Sequence, residues 1–200
     1  METIRGKTSL DLDFYGLKTR LTDYNRIVLD LGTGDGRYVR TLTDKHPDWF
    51  MVGVDACREN LREHSRAKTS NMLFVIARAQ ELPHEFNRLF SHVTINFPWG
   101  SLLDGLLTCD LALMHGLASV SRPNARIEIH LNGGALVEAG TDLETGAEAI
   151  YENVNRCGWD LKTPRSVDYQ VLKNFPTTWA RRLAHGRDPR GMLLSGTRTE

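Results

Sequence analysis

The run Asp30-Leu31-Gly32-Thr33-Gly34-Asp35-Gly36 combines two carboxylates with three glycines, each separated by a single residue. Glycines at a turn let the backbone approach a ligand with no Cβ in the way. A nicotinamide or flavin site wants G-x-G-x-x-G, whose pyrophosphate rests on a helix N-terminus. Here the spacing is Gly32-x-Gly34-x-Gly36, and the acids Asp30 and Asp35 would repel a pyrophosphate. The same charges suit the cationic sulfonium and amino group of S-adenosylmethionine, so the residues favour a methyl donor over a dinucleotide. Asp55 ends the next apolar run, where a carboxylate can accept hydrogen bonds from both ribose hydroxyls. Ala79-Gln80-Glu81-Leu82-Pro83 follows a further apolar run, at the place where such enzymes contact the adenine.

A second constellation is Asn96-Phe97-Pro98-Trp99-Gly100. It is similar to the [D/N]-P-P-[Y/F/W] element of methyltransferases that act on planar nitrogens, in which an aromatic ring stacks the base. A plainer reading makes Trp99 a buried anchor and Ser101 the cap of the next helix, with Asp104 three residues on. Both can hold at once. The stretch from Phe175 to Arg187 sets Trp179 beside Arg181, Arg182 and Arg187, a way to hold a base and its phosphates together. It also reads as an amphipathic helix whose Trp179 and Leu183 face a core. The seven histidines show no ligand spacing, so no metal is expected. Cys57, Cys109 and Cys157 are scattered and odd in number, which suits a reducing cytosol without a disulfide frame.

These residues need a scaffold, and the chain alternates strand-like runs with helix-length segments, the pattern of a mostly parallel sheet covered by helices. Strands are expected at 26–31, 50–55, 72–76, 91–96 and 126–131, with a closing strand at 191–197. Helices are expected around 36–45, 57–67, 101–119 and 143–156, and residues 3–12 alternate loosely enough for a short hairpin. The 200 residues fit one domain, with an N-terminal extension over about 1–22 and an insertion over about 174–190. No apolar run is long enough to span a bilayer, and residues 1–7 lack the apolar core of a secretory signal, so a cytoplasmic protein is expected. Net charge is zero, which gives no global argument for a nucleic-acid partner. Yet Arg181, Arg182, Arg187, Arg190 and Arg198 gather late, after an acidic stretch from Glu138 to Glu152.

Taken together, these stretches resemble the aminoglycoside-resistance 16S rRNA adenine-N1 methyltransferases of the NpmA/KamB family. The likeness is carried by Leu29 to Arg37, Glu59-Asn60-Leu61, Phe74 to Ala77, Phe97-Pro98-Trp99-Gly100 and Trp179-Ala180-Arg181-Arg182-Leu183-Ala184. Gly6-Lys7-Thr8, Asp11-Leu12 and Ser195-Gly196 also fit, so it runs nearly end to end. The resemblance implies a Rossmann-like α/β fold: a seven-stranded, mostly parallel sheet with helices on both faces and a short N-terminal hairpin. It implies S-adenosylmethionine as methyl donor, S-adenosylhomocysteine as product, and N1 of the decoding-site adenine in helix 44 as target. By position, Asp30, Gly32, Thr33, Gly34, Asp55, Ala79, Gln80, Glu81, Asn96 and Thr177 would surround the donor. Trp99 and Trp179 would sandwich the adenine, with Phe97 and Pro98 shaping its seat. Arg181, Arg182, Arg187, Arg190, Lys7, Arg66 and Lys68 would meet rRNA, in a 30S subunit bound by a monomer. Two departures stand out. The family's acid near the cofactor adenine is Gln80 here, with Glu81 one place later, and the basic loop after the second strand is shorter, keeping Arg62, Arg66 and Lys68.

Adenine N1 has an in-plane lone pair, so its methylation needs no general base. It needs a flipped base held in line with the methyl–sulfur bond, and a cationic product between two indoles gains on the order of 0.5–2 kcal/mol. The alternatives are a tRNA guanine-N7 methyltransferase, whose N-F-P-x-P-W element lacks its intervening residues here, and a binding module without turnover. A small-molecule methyltransferase is a further one, although no long helical insertion is present to build its lid.

Overall fold

The computed structural model describes residues 1–178 and 190–199. Its central feature is one nine-stranded sheet. In chain order the strands are β1 (Glu2–Arg5), β2 (Thr8–Asp11), β3 (Arg26–Leu31), β4 (Trp49–Asp55), β5 (Met72–Ile76), β6 (Phe90–Asn96), β7 (Ser121–Asn132), β8 (Trp159–Val167) and β9 (Gly191–Arg198). They lie in the order β2-β1-β5-β4-β3-β6-β7-β9-β8. From β3 the chain winds outward through β4 and β5, then crosses back to place β6 and β7 on the other side. The strand order therefore reverses between β3 and β6, where a crevice opens beyond the carboxyl ends of the strands.

The expected mostly parallel, seven-stranded sheet needs two corrections. The N-terminal hairpin joins the same sheet, since β1 pairs antiparallel with β5 through Thr3 and Val75. Parallel pairing is also confined to the five central strands, because β9 runs antiparallel between β7 and β8. β8 left little trace in the sequence because Pro164 interrupts it and its register slips between Lys162 and Arg165. An edge strand tolerates both features.

The helices are α1 (Phe14–Leu21), α2 (Arg37–Lys45), α3 (Arg58–Leu61), α4 (Gly100–Thr108), α5 (Leu111–Val120), α6 (Gly133–Glu138), α7 (Leu143–Arg156) and α8 (Tyr169–Asn174). The expected helix at 101–119 is two elements, bent by 95° at the break. Cys109 takes φ +57°, and Asp110 starts α5 by accepting hydrogen bonds from the Ala112 and Leu113 amides. The expected 57–67 helix is likewise only α3 plus a 3-10 turn at His64–Arg66. α6 carries a weak sequence signal because it opens on Gly133-Gly134, poor helix formers that Asn132 caps.

Alternation along the central strands sends successive side chains to opposite faces. Leu29, Val52, Val75, Val93 and Ile127 face a large core filled by α1 and α4 to α7. Val28, Met51 and Phe74 face a smaller one with Val39 of α2 and Leu61 of α3. Two of the three cysteines meet in the fold: Cys109 and Cys157 close their helices with sulfurs 3.7 Å apart, while Cys57 is exposed after β4. Among the described residues no single helix is long and apolar enough to cross a membrane.

Candidate functional site

At the reversal point lies a cleft of about 310 Å³, lined by the ends of β3, β4 and β6, the turn after β5, and Thr177 and Thr178. Its floor is Asp30, the penultimate residue of β3, 1% exposed. Asp30 Oδ1 accepts hydrogen bonds from the Thr94 hydroxyl and from Asn96 Nδ2, both at 2.8 Å. Burial outweighs these bonds and raises its pKa to about 6, with the nearby Asp55 charge adding to the rise. Asp55 is also raised by burial; its two oxygens accept from the amides of Gly34 and Cys57. Among the described residues neither carboxylate has a cationic partner. Two desolvated acids facing one cleft fit a cationic ligand and disfavour an anionic one.

The glycine turn fits the same ligand. Gly32 and Gly34 have φ of +73° and +58°. A Cβ on Gly32 would lie 2.6 Å from Leu102 Cδ2, whereas one on Gly34 would meet nothing within 4 Å. The first glycine admits the wall of α4, and the second leaves backbone bare beside the cleft. Asp35 is turned to a different task. It accepts from the Arg37 amide at 3.0 Å and from the Thr178 hydroxyl at 2.5 Å, tying the turn to the segment after α8.

After β6 the chain makes a tight corner. Phe97 takes φ +54° and donates its amide to the His130 carbonyl at 2.8 Å. Pro98 is buried and Trp99 stands 44% exposed at the rim. The expected Ser101 cap is absent: α4 starts at Gly100, Trp99 occupies the cap position, and no side chain bonds there. Ser101 instead lends its carbonyl to Gln80 Nε2 at 3.3 Å. Across the cleft, Phe175 stacks on Tyr38 at 5.4 Å and meets Phe97 edge-on at 5.1 Å. That wedge seats Thr177 and Thr178 over the glycine turn.

The cleft thus brings together Asp30, Gly32, Thr33, Gly34, Asp55, Ala79, Gln80, Asn96, Phe97, Pro98, Trp99 and Thr177. Of the two candidates after β5, Gln80 lines it, while Glu81 is exposed and does not. Asn60, Arg78, Leu102 and Thr178 line it too, and sequence reasoning did not assign them there. Asn60 and Leu102 come from α3 and α4, Arg78 and Thr178 from the segments after β5 and α8. Lys7, Arg66 and Lys68 are exposed away from the cleft lining. They gather where the hairpin turn meets the 3-10 turn, joined by the Gly6 amide donating to Ser65 Oγ at 2.8 Å. Arg190 is exposed and its guanidinium pairs with Glu144 at 2.6 Å. Trp179, Arg181, Arg182 and Arg187 lie outside the described residues.

The sequence matches the family described as NpmA, 16S rRNA (adenine(1408)-N(1))-methyltransferase, over residues 2–198. A 16S rRNA (adenine(1408)-N(1))-methyltransferase of Streptoalloteichus hindustanus is 31% identical, with 94% of each chain covered. One of Escherichia coli is 28% identical over 98% of each. Among solved structures, the 16S rRNA methyltransferase KamB superposes with a TM-score of 0.90 at 27% identity, with both chains fully covered. A tryptophan-to-alanine variant of the Catenulisporales acidiphilia 16S rRNA (adenine(1408)-N(1))-methyltransferase, solved with its cosubstrate SAM, gives 0.89 at 25% identity, covering 100% of this chain and 97% of that one.

Proposed function

The chain belongs to the NpmA family of 16S rRNA (adenine(1408)-N(1))-methyltransferases, and from that membership we propose how its cleft performs the transfer. It is an S-adenosylmethionine-dependent enzyme that methylates N1 of the decoding-site adenine of 16S rRNA and confers aminoglycoside resistance. The tRNA guanine-N7 alternative gives way to this match. The observation that carries the residue-level reading is the continuity of one cleft from the buried Asp30 to the exposed Trp99.

When bound, S-adenosylmethionine supplies an electrophilic methyl group on a sulfonium centre. Asp30 and Asp55 hold the donor's cationic and ribose groups, Gly32 to Gly34 let it lie against bare backbone, and Ala79 and Gln80 border its adenine. Thr177 closes the pocket from the far side. The target base stacks on Trp99, with Phe97 and Pro98 setting the angle of that ring, and Trp179 offers the second face. No side chain needs to remove a proton, because adenine N1 attacks with a lone pair already in the ring plane. The chain's residues act by positioning: they hold a flipped base, and indole faces stabilise the charge that develops on it.

The substrate is the assembled 30S subunit, approached by a monomer in the cytoplasm. Lys7, Arg66 and Lys68 meet rRNA phosphates, and so do Arg181, Arg182, Arg187 and Arg190. The 200 residues act as one domain, with residues 174–190 as the RNA-contacting insertion. Primer extension across helix 44 after incubation with 30S subunits and donor tests this. N1 methylation removes a Watson–Crick acceptor, so reverse transcriptase stops one nucleotide before the modified adenine. Methyl transfer to tRNA with no such stop would overturn it.

A further inference from the structure

We propose that His130 is the positioning residue of the donor site: through Asn96 it fixes the acceptor geometry of Asp30, and through its carbonyl and ring it pins both walls of the cleft. This rests on the methyl-donor reading above. His130 sits in β7 directly beside Asn96 of β6 in the parallel register, and it is 7% exposed. Its Nδ1 lies 3.0 Å from Asn96 Oδ1, and Asn96 Nδ2 lies 2.8 Å from Asp30 Oδ1.

The direction of this chain of bonds follows from its end. An ionised carboxylate can only accept, so Asn96 must turn its amide nitrogen toward Asp30. The amide oxygen then faces His130 and can only accept, so His130 Nδ1 must carry a proton. Burial, reinforced by the Arg165 charge, lowers the imidazole pKa to about 4, so the ring is neutral near pH 7. His130 is therefore the Nδ1–H tautomer, with Nε2 bare. The Thr94 hydroxyl donates to the same Asp30 oxygen at 2.8 Å. Two donors converge on Oδ1, from Thr94 and from Asn96.

The same residue holds the rest of the site. Its carbonyl accepts from the Phe97 amide at 2.8 Å, which anchors the positive-φ corner leading to Trp99. Its ring meets Phe175 edge-on at 4.7 Å, and Phe175 leads into Thr177 and Thr178. Without a donor at position 130, the Asn96 amide oxygen loses this partner, and the bond to Asp30 alone must hold the amide in place. An amide that rotates to find its oxygen another donor draws Nδ2 away from Asp30, and that acid loses part of its geometry.

The test compares His130→Leu, which keeps volume and removes the donor, with His130→Asn, whose amide can donate from a similar position. Calorimetry with S-adenosylhomocysteine should show affinity lowered about tenfold or more in His130→Leu. His130→Asn should restore it to within about threefold of wild type. On the wild-type chain, long-range 1H–15N correlation of the ring should show Nδ1 protonated and Nε2 bare. This readout needs no ligand, and it stands even if His130→Leu folds poorly. Equal losses in both variants would mean that His130 only fills space, and wild-type affinity in His130→Leu or an Nε2–H tautomer would also overturn the proposal. If the wild-type chain bound no S-adenosylhomocysteine, the methyl-donor reading itself would fall, and with it the donor-site role of His130.

Discussion

The two halves of the cleft are built on opposite principles. The half proposed for the donor is polar and buried: Asp30 is 1% exposed, its two bonds come from β6 beside it, and bare glycine backbone completes the wall. The acceptor half is aromatic and open, with Trp99 44% exposed at the end of a strained corner. On the proposed reading, a small cationic ligand gives up its water to buried acids, and these are set by the strand ends and the glycine turn. A nucleotide in a large RNA brings its own surface, so the ring proposed to stack it can stand exposed at the rim until the substrate covers it. The donor half should therefore bind alone, and the acceptor half should matter only when RNA is present.

The largest effect should follow Asp30→Ala. It removes the acid and strands the Asn96 amide and the Thr94 hydroxyl, costing more than about 100-fold in donor affinity by calorimetry. Trp99→Ala should separate the halves. Losing one stacking surface is worth about 1–3 kcal/mol, so methyl transfer to 30S subunits should fall by about 5- to 150-fold while donor affinity changes little. If Trp99→Ala weakened the donor as much as the base, the division between the halves would collapse.

A smaller effect should come from pH. With its pKa at about 6, Asp30 is mostly ionised at pH 7 and mostly protonated at pH 5. Donor affinity should fall about tenfold between those values. Stability of the donor-free chain should move the other way. Its folded pKa is raised above the ordinary 3.8, so Asp30 contributes most below about pH 4 and loses that contribution as pH rises through about 6. Thermal melts without ligand should show this slope, and Asp30→Asn should flatten it. The smallest effect belongs to the basic cluster at the hairpin. Lys7→Gln should weaken 30S binding about threefold and reduce its salt dependence by about one counterion, leaving donor binding unchanged.

The donor half was largely legible in the chain because its parts are local. Strand, glycine turn and terminal acid follow one another from Arg26 to Gly36, and hydrophobic periodicity marks each strand. The corner at Phe97-Pro98-Trp99 was legible for the same reason, and so were the helix at 143–156 and the hairpin at the start. The misreadings fell where local signals conflict. Pro164 hid an edge strand, Gly133-Gly134 hid a helix start, and Cys109-Asp110 broke an apolar run that looked continuous.

The sequence by itself determined the alternation of strands and helices, the charge of the donor pocket and the aromatic at its mouth, since each rests on neighbours within a few residues. Only the tertiary structure decided that Gln80 and not Glu81 turns inward, that Asp35 latches Thr178, and that His130 stands behind Asn96 and Asp30. Those contacts join residues up to 143 positions apart. Strand order and crossover set them, and no spacing along the chain encodes which side chains a sheet will bring side by side.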